Sequence, residues 1–190
     1  MSLVADQNNF VYQAVPAVIE EPAVLLTPVP FKEQVSDKIL WVYIIVAVII
    51  LIILFWIAGS ASTYFNSLNK PTWTNAPAIW GTLMVIVVLI LAYANFKAFR
   101  VANAAYRNNI IVTVIIQAIL LIAWFWVFYK TENPMNAFYI ALVLLLVTLW
   151  QLFVLYRVDP AAGWMALPFL VWLLLAIYVN WSISDTNRPM

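Results

Sequence analysis

Cysteine and histidine are absent, glycine occurs three times, and charged residues make up 9% of the 190-residue chain. Without cysteine there is no disulfide and no thiol nucleophile, and without either residue no ordinary zinc site or His-based acid–base relay. The usual axial ligands of haem iron go with them. A formal net charge of +1 leaves no basic patch to neutralise phosphates, so nucleic acid is not an expected partner. The three glycines, Gly59, Gly81 and Gly163, form no GxxxG helix-pairing motif. Between Lys38 and Lys97 the only charge is Lys70, and no Asp, Glu, Lys or Arg lies well within any of the apolar runs. Intramembrane charges mark pumps, proton-coupled transporters and charged ion filters; those classes are disfavoured.

What is present is apolar: 66% of the residues are hydrophobic, with ten tryptophans. A soluble domain of this size has too little interior to hide so much apolar surface. About 20 apolar residues in helix cross a hydrocarbon core of about 30 Å, and five runs reach or approach that length, at about 39–58, 77–96, 109–129, 134–156 and 161–183. Gly59 to Ser62, Asn133-Pro134 and Asp159-Pro160 break the chain between them. The runs are continuous and about twice the length of a barrel strand. The expectation is an all-α membrane protein, a five-transmembrane-helix bundle over residues 39–187, with lipid as its solvent.

Residues 1–38 differ in kind. They hold Pro16, Pro22, Pro28 and Pro30 together with five acids, and show no helical period; a disordered tail is expected. Three prolines recur every six residues, which would align them along one edge of a polyproline II helix, so a protein partner for the tail is the alternative expectation. Five spans put the termini on opposite sides. Six cations (Lys32, Lys38, Lys97, Arg100, Arg107, Arg157) share the N-terminal side and three (Lys70, Lys130, Arg188) the other, which favours a cytoplasmic N-terminus.

Within the spans, polar atoms are sparse: Asn95, Gln117, Asn136, Thr148, Gln151 and Asn180. Tryptophans near span ends (Trp41, Trp56, Trp164, Trp181) suit interface anchoring. In the fifth run Pro168, Trp172, Ala176 and Asn180 recur every four residues, a spacing that places them along one slowly winding face. Gln117, Trp124 and Phe128 share a face of the third run, and Trp80 followed by Met84 opens the second. Flat, large indoles beside an amide suit a flat apolar ligand, although each such residue equally suits helix packing.

The loop Tyr64-Phe-Asn-Ser-Leu-Asn-Lys-Pro-Thr-Trp73, the stretch Trp80-Gly-Thr-Leu83, the series Gln117, Trp124, Phe128, Tyr129, the pair Tyr156 and Pro160, and Pro168-Phe-Leu-Val-Trp172 followed by Asn180 occur in order. This ordered set resembles the TspO/MBR family, the tryptophan-rich sensory proteins that include the mitochondrial translocator protein, over about residues 55–187. The resemblance implies a pocket between the spans beneath the first loop. Ligand contacts are expected from Trp73, Trp80, Trp124, Phe128, Pro168, Trp172, Ala176 and Asn180, with Lys70 and Pro71 shaping a lid. It implies binding of a tetrapyrrole such as protoporphyrin IX, or a sterol, by a sensor, carrier or scavenger without obligatory cofactor or metal. Homodimers occur in the family. With no histidine, a bound porphyrin is expected metal-free or weakly ligated. Catalysis is not expected beyond light-dependent porphyrin breakdown, which some bacterial relatives are linked to; a scaffold presenting the tail, without a ligand, is the alternative function. The host membrane, whether bacterial inner or outer, mitochondrial outer or endoplasmic reticulum, stays open.

The chain departs from the family pattern at several positions. Asn75-Ala76-Pro77 stands where the family has Pro-Pro. Met84 replaces a usual Tyr, Leu121 and Ile122 replace an Asn-Trp pair, and Asn136 and Ile140 replace a Trp and an Asp. The sterol motif is broken, with Trp181 and Asp185 where it needs Tyr and Arg; a pattern of the same type occurs at Leu91, Tyr93 and Lys97.

Overall fold

The structure, a computed structural model, describes residues 38–60, 62–74 and 77–187, excluding the side chains of Ser62, Trp73 and Pro77. The expectations for the proline-spaced tail and for Arg188 therefore lie outside the described residues.

Helix α1 spans Lys38–Gly59, a short helix α2 spans Ser62–Ser67, and a 3-10 turn covers Thr72–Thr74. Four long helices follow: α3, Pro77–Val101; α4, Ala104–Tyr129; α5, Pro134–Val158; and α6, Pro160–Thr186. All but α2 are long and apolar enough to cross a membrane, and no strand occurs among the described residues. In lipid a spanning backbone must satisfy its own polar groups, which a helix does. The five-helix expectation holds, and the protein is an integral, multi-pass membrane protein.

The helices outrun their apolar cores by one to five residues at most ends, because the hydrogen-bond ladder continues past the hydrocarbon to a polar cap. Asn103 Oδ1 accepts from Tyr106 N–H at 3.0 Å and Asn133 Oδ1 from Asn136 N–H at 3.0 Å. Pro134 and Pro160 occupy first-turn positions where a missing N–H costs nothing. Asp159 alone joins α5 to α6. It caps α6 through Ala161 N–H (3.0 Å) and pairs with Lys97 Nζ at 3.3 Å. The loop expected to run from Tyr64 to Ala76 is more regular than anticipated, since α2 and the 3-10 turn fill much of it.

Between helices in lipid, packing and hydrogen bonds replace the hydrophobic effect as the source of association. Neighbouring helices follow the circuit α1–α3–α6–α5–α4 and back to α1. Small residues permit the closest approach: a Cβ on Gly163 of α6 would stand 2.8 Å from the backbone of Tyr156 in α5. Only a narrow strip of α1 is buried, Ala47, Leu51, Leu54 and Ile57. Trp41, Trp56, Trp164 and Trp181 are all exposed, as interface anchors must be.

The mid-span amides pair across helices. Gln151 Nε2 donates to Asn95 Oδ1 at 2.9 Å, and Gln117 Nε2 donates to Thr148 Oγ1 at 3.0 Å. The Asn95–Gln151 pair lies in the half of the bundle away from the first loop, and the Gln117–Thr148 pair near mid-span. Asn136 is exposed near the start of α5 and contributes only its backbone N–H.

Candidate ligand-binding site

The ring of helices encloses a cavity of about 360 Å³ in the half nearest the first loop, within the size range of small-molecule pockets. Its inner end is built by α4 and α6. The Trp124 and Trp172 rings meet edge to face, centroids 6.1 Å apart at 80°. Trp124 Nε1 donates to Asn180 Oδ1 at 3.0 Å, while Asn180 Nδ2 donates to the Pro134 carbonyl at 2.6 Å. Asn180, 1% exposed, thereby ties α4, α5 and α6 together and holds the Trp124 ring in place. Trp172 is also buried, at 7% exposure, and among the described residues its buried Nε1–H has no hydrogen-bond partner.

Rings on α4 continue the wall. Phe125 stands edge-on to Trp124 at 5.1 Å and Phe128 edge-on to Tyr129 at 4.9 Å. The facing wall is Trp80, Gly81 and Met84 of α3, with Phe55, Ala58 and Gly59 of α1 beside them. Gly81 allows this approach: a Cβ there would lie 3.1 Å from the Phe55 ring. Phe55, Gly59 and the loop residue Asn66 are exposed, so the mouth lies between α1, α3 and the first loop.

The loop roofs the cavity through Phe65, Asn66 and Thr74. Lys70 Nζ donates to the Phe65 carbonyl at 2.7 Å and sits 4.6 Å above the Phe65 ring. Phe65 in turn packs on Phe128 and Tyr129, centroids 6.4 and 6.0 Å apart. The Pro71 carbonyl accepts from Thr74 N–H (2.9 Å) and Thr74 Oγ1–H (2.7 Å). At its far end the loop is bound to α6: Asn69 N–H donates to Asn187 Oδ1 at 3.0 Å, and Asn187 Nδ2 donates to the Asn69 carbonyl at 2.9 Å. Beside the roof, burial and then the Glu132 charge raise the pKa of the Tyr64 phenol, keeping it a neutral donor.

Of the residues expected at a ligand, Trp80, Trp124, Phe128, Trp172, Ala176 and Asn180 line this cavity. Pro168 does not. It is exposed on α6, because each four-residue step overshoots a full turn by about 40° and three steps carry the face round by about 120°. Lys70 and Pro71 shape the loop from within and do not line the cavity. The side chain of Trp73 lies outside the described residues. Gln117, on the same face of α4 as Trp124, belongs to a smaller cavity of about 60 Å³ deeper in the bundle.

Sequence reasoning did not place Phe55, Ala58, Gly59, Phe65, Asn66, Thr74, Phe125 or Val179 among the ligand contacts. The α1 residues carry no usable signal, because that helix is apolar on every side. Tyr129 and Met84 were visible as neighbours of Phe128 and Trp80. Among the described residues the lining has large rings, amides and hydroxyls but no Lys, Arg, Asp or Glu, an arrangement fit for holding an apolar body.

Residues 41–185 match the profile of the TspO/MBR family. The chain is similar to "Tryptophan-rich protein TspO" of Chlorobaculum tepidum, 24% identical over 135 residues covering 67% of this chain and 81% of the relative. It is similar to "Protein CrtK" of Rhodobacter capsulatus, 26% identical over 137 residues, again 67% of this chain and 81% of the relative. A third relative, "Uncharacterized membrane protein YtaB" of Bacillus subtilis, is 24% identical over 124 residues, 65% of this chain and 80% of its own length.

Proposed function

Since the chain belongs to the TspO/MBR family, we propose that it is a membrane receptor for a flat hydrophobic guest, with a tetrapyrrole such as protoporphyrin IX as the reference ligand. It then acts as a sensor, carrier or scavenger. The observation that carries this reading is the convergence of Trp80, Trp124 and Trp172 from three helices on one cavity of about 360 Å³. Indoles packed merely to fill a bundle would leave no such space, since protein interiors are close-packed and voids beyond a water molecule are few. The cavity is large compared with what packing defects leave, and its walls present ring edges and faces that favour a planar partner.

The elements cooperate in binding. Asn180 orients Trp124 by accepting its N–H, so the ring needs no reordering when a guest arrives, and preorganisation spares the entropy of fixing it. Ala176 lies one turn above Trp172 and keeps space beside its ring. The first loop caps the chamber through Phe65. The described lining residues offer no nucleophile with an adjacent base, which favours a binding role over a catalytic one; porphyrin breakdown under light would draw its chemistry from the excited guest.

Titrating purified protein in detergent with protoporphyrin IX tests the proposal. The expected outcome is saturable quenching of tryptophan emission that Trp124→Ala with Trp172→Ala weakens at least tenfold. Unchanged emission, or quenching indifferent to both substitutions, counts against a receptor. The six-residue proline spacing motivates the alternative of a scaffold that presents its tail. Deleting residues 1–35 separates the two, since ligand binding survives that truncation and partner capture does not.

A further inference from the structure

The smaller cavity, about 60 Å³, lies beneath α1 in the seam between α3 and α4. Its described wall is apolar except at Tyr43 of α1, Asn95 of α3 and Gln117 of α4. A neighbour dictates how Gln117 stands. The Thr148 hydroxyl spends its proton on the Leu144 carbonyl at 2.8 Å, so toward Gln117 it can only accept. The Gln117 amide therefore presents Nε2 to Thr148, at 3.0 Å, and turns Oε1 away.

Gln117 is 5% exposed, yet among the described residues its Oε1 accepts no hydrogen bond. Unlike Gln151 Oε1, which is unpaired and sealed by its neighbours, this oxygen retains a free surface, and the open side of the residue is the cavity. A buried acceptor left without a donor is costly, and native structures rarely keep one without reason. The other two polar groups can serve the same space. Asn95 Nδ2 gives one N–H to the Leu91 carbonyl at 2.8 Å and has a second to give. The Tyr43 hydroxyl both gives and accepts. None of the three is charged.

Depth and volume agree on what fits. At about 1.5 Å per residue, Asn95 stands about 9 Å from the end of α3 and Gln117 about 20 Å from the start of α4. Those two helix ends adjoin through Ala102 and Asn103, so the amides differ in depth by about 11 Å. Waters hydrogen-bonded in a row stand about 2.8 Å apart, and about three of them bridge that interval. On the measure of the cavity volume one water takes about 10–15 Å³, which leaves room for about four. The outer end is polar: Tyr43 packs on Phe99 with ring centroids 6.0 Å apart, and Arg107 lies 5.0 Å over the same Phe99 ring.

We infer that this cavity is a water site, a file of about three or four ordered molecules. It starts at Tyr43 and Asn95, toward the end away from the first loop, and finishes on Gln117 Oε1 near mid-span. The file is also the polar tie of α1. From Ile39 to Ile57, Tyr43 is the only side chain besides the tryptophans able to hydrogen-bond. Direct side-chain bonds join α3, α4, α5 and α6 to one another; bridging water does the same for α1. The inference is independent of the receptor reading.

X-ray radiolytic labelling of the full chain in lipid nanodiscs tests it, because a bound water split by the beam oxidises the side chains beside it. Phe169, 0% exposed and on the cavity wall, is the reporter; Tyr106, 39% exposed, records the dose from bulk water. Phe169 is expected to gain oxygen in the unaltered protein. Ala92→Val fills the space. Gln117→Leu removes the inner acceptor while Thr148 keeps its bond to Leu144. Each is expected to cut the Phe169 rate at least threefold relative to Tyr106. An unlabelled Phe169 beside a labelled Tyr106 in the unaltered protein means a dry cavity and overturns the inference. A Phe169 rate that either variant leaves unchanged overturns it too, since the label then comes from elsewhere or the file does not end on Gln117. Misfolding cannot imitate the expected result, because an opened bundle admits bulk water and raises the Phe169 rate.

Discussion

At the scale of single residues, buried amides decide how the spans pair. Asn95 on α3 is 2% exposed and Gln151 on α5 is 1% exposed. Asn95 Nδ2 donates to the Leu91 carbonyl at 2.8 Å, which leaves its oxygen to face Gln151 Nε2. Reversing either amide would set two oxygens or two nitrogens against each other, so the orientation of the pair is dictated. Removing one member strands the other where lipid and protein offer no substitute. Gln151→Leu and Asn95→Leu are each expected to lower stability by about 1 kcal/mol. The double variant is expected to lose less than their sum, with a coupling of about 0.5–1.5 kcal/mol typical of hydrogen bonds between membrane helices. Reversible unfolding in mixed detergent, followed by circular dichroism, measures the cycle; strict additivity would show that the pair does not act as one. The amides themselves were plain in the sequence, since six polar residues stand out in apolar runs. Their pairing was not, because Asn95 and Gln151 are 56 positions apart and each equally suited a ligand.

At the scale of elements, the first loop is held down by its neighbours more than by its own composition. Asn187, one residue beyond α6, forms a two-bond bridge with the backbone of Asn69 while also closing the helix through the Ile183 carbonyl at 2.9 Å. The side-chain amide thus stands in for a neighbouring peptide group. Since α6 also bears Trp172 and Asn180, the roof and the inner end of the cavity are fastened to one rod. Asn187→Ala is expected to raise amide exchange at Asn69 at least tenfold and to leave overall stability within about 1 kcal/mol, the ordinary net worth of one or two exposed hydrogen bonds. Hydrogen exchange with mass spectrometry over the loop checks this; protection unaltered in the variant would mean the loop is held elsewhere. The apolar run in the sequence stops at Ile183, and nothing in a lone Asn after it announces a tie across 118 positions. The helix caps were more legible: Asn133-Pro134 and Asp159-Pro160 predict breaks from local chemistry alone, and both occur there.

At the scale of the molecule, five helices form a closed circuit whose two ends differ in charge. Among the described residues, Lys38, Lys97, Arg100, Arg107 and Arg157 stand at the end away from the first loop, with Asp159 as the acid there. Lys70 and Lys130 share the loop end with Glu132 and Asp185. The positive-inside rule predicts that the cation-rich end faces the cytoplasm and that the cavity mouth opens on the opposite side. The chain contains no cysteine, so single introduced thiols report cleanly. In a bacterial inner membrane, Ser67→Cys is expected to react with an impermeant maleimide in intact cells, and Ala105→Cys only after lysis. The reverse pattern would invert the orientation.

Span number, span length and the end of each apolar run follow from local rules, because a backbone in lipid must close its own hydrogen bonds and a helix of about 20 residues is the short way across. The membrane, in this sense, left the chain little choice. Which faces meet is another matter. With apolar residues on all sides of every helix, no stripe in the sequence separates lipid-facing from buried positions, and lipid tails are as apolar as any partner. Pro168 and Trp172 looked alike at four-residue spacing, yet one faces outward and the other closes the cavity. Close approach at Gly163 and Gly81, the buried amide pairs, the Asn180 bridge and the Asn69–Asn187 tie select one packing from many, since these depend on atoms brought within a few ångströms from distant parts of the chain.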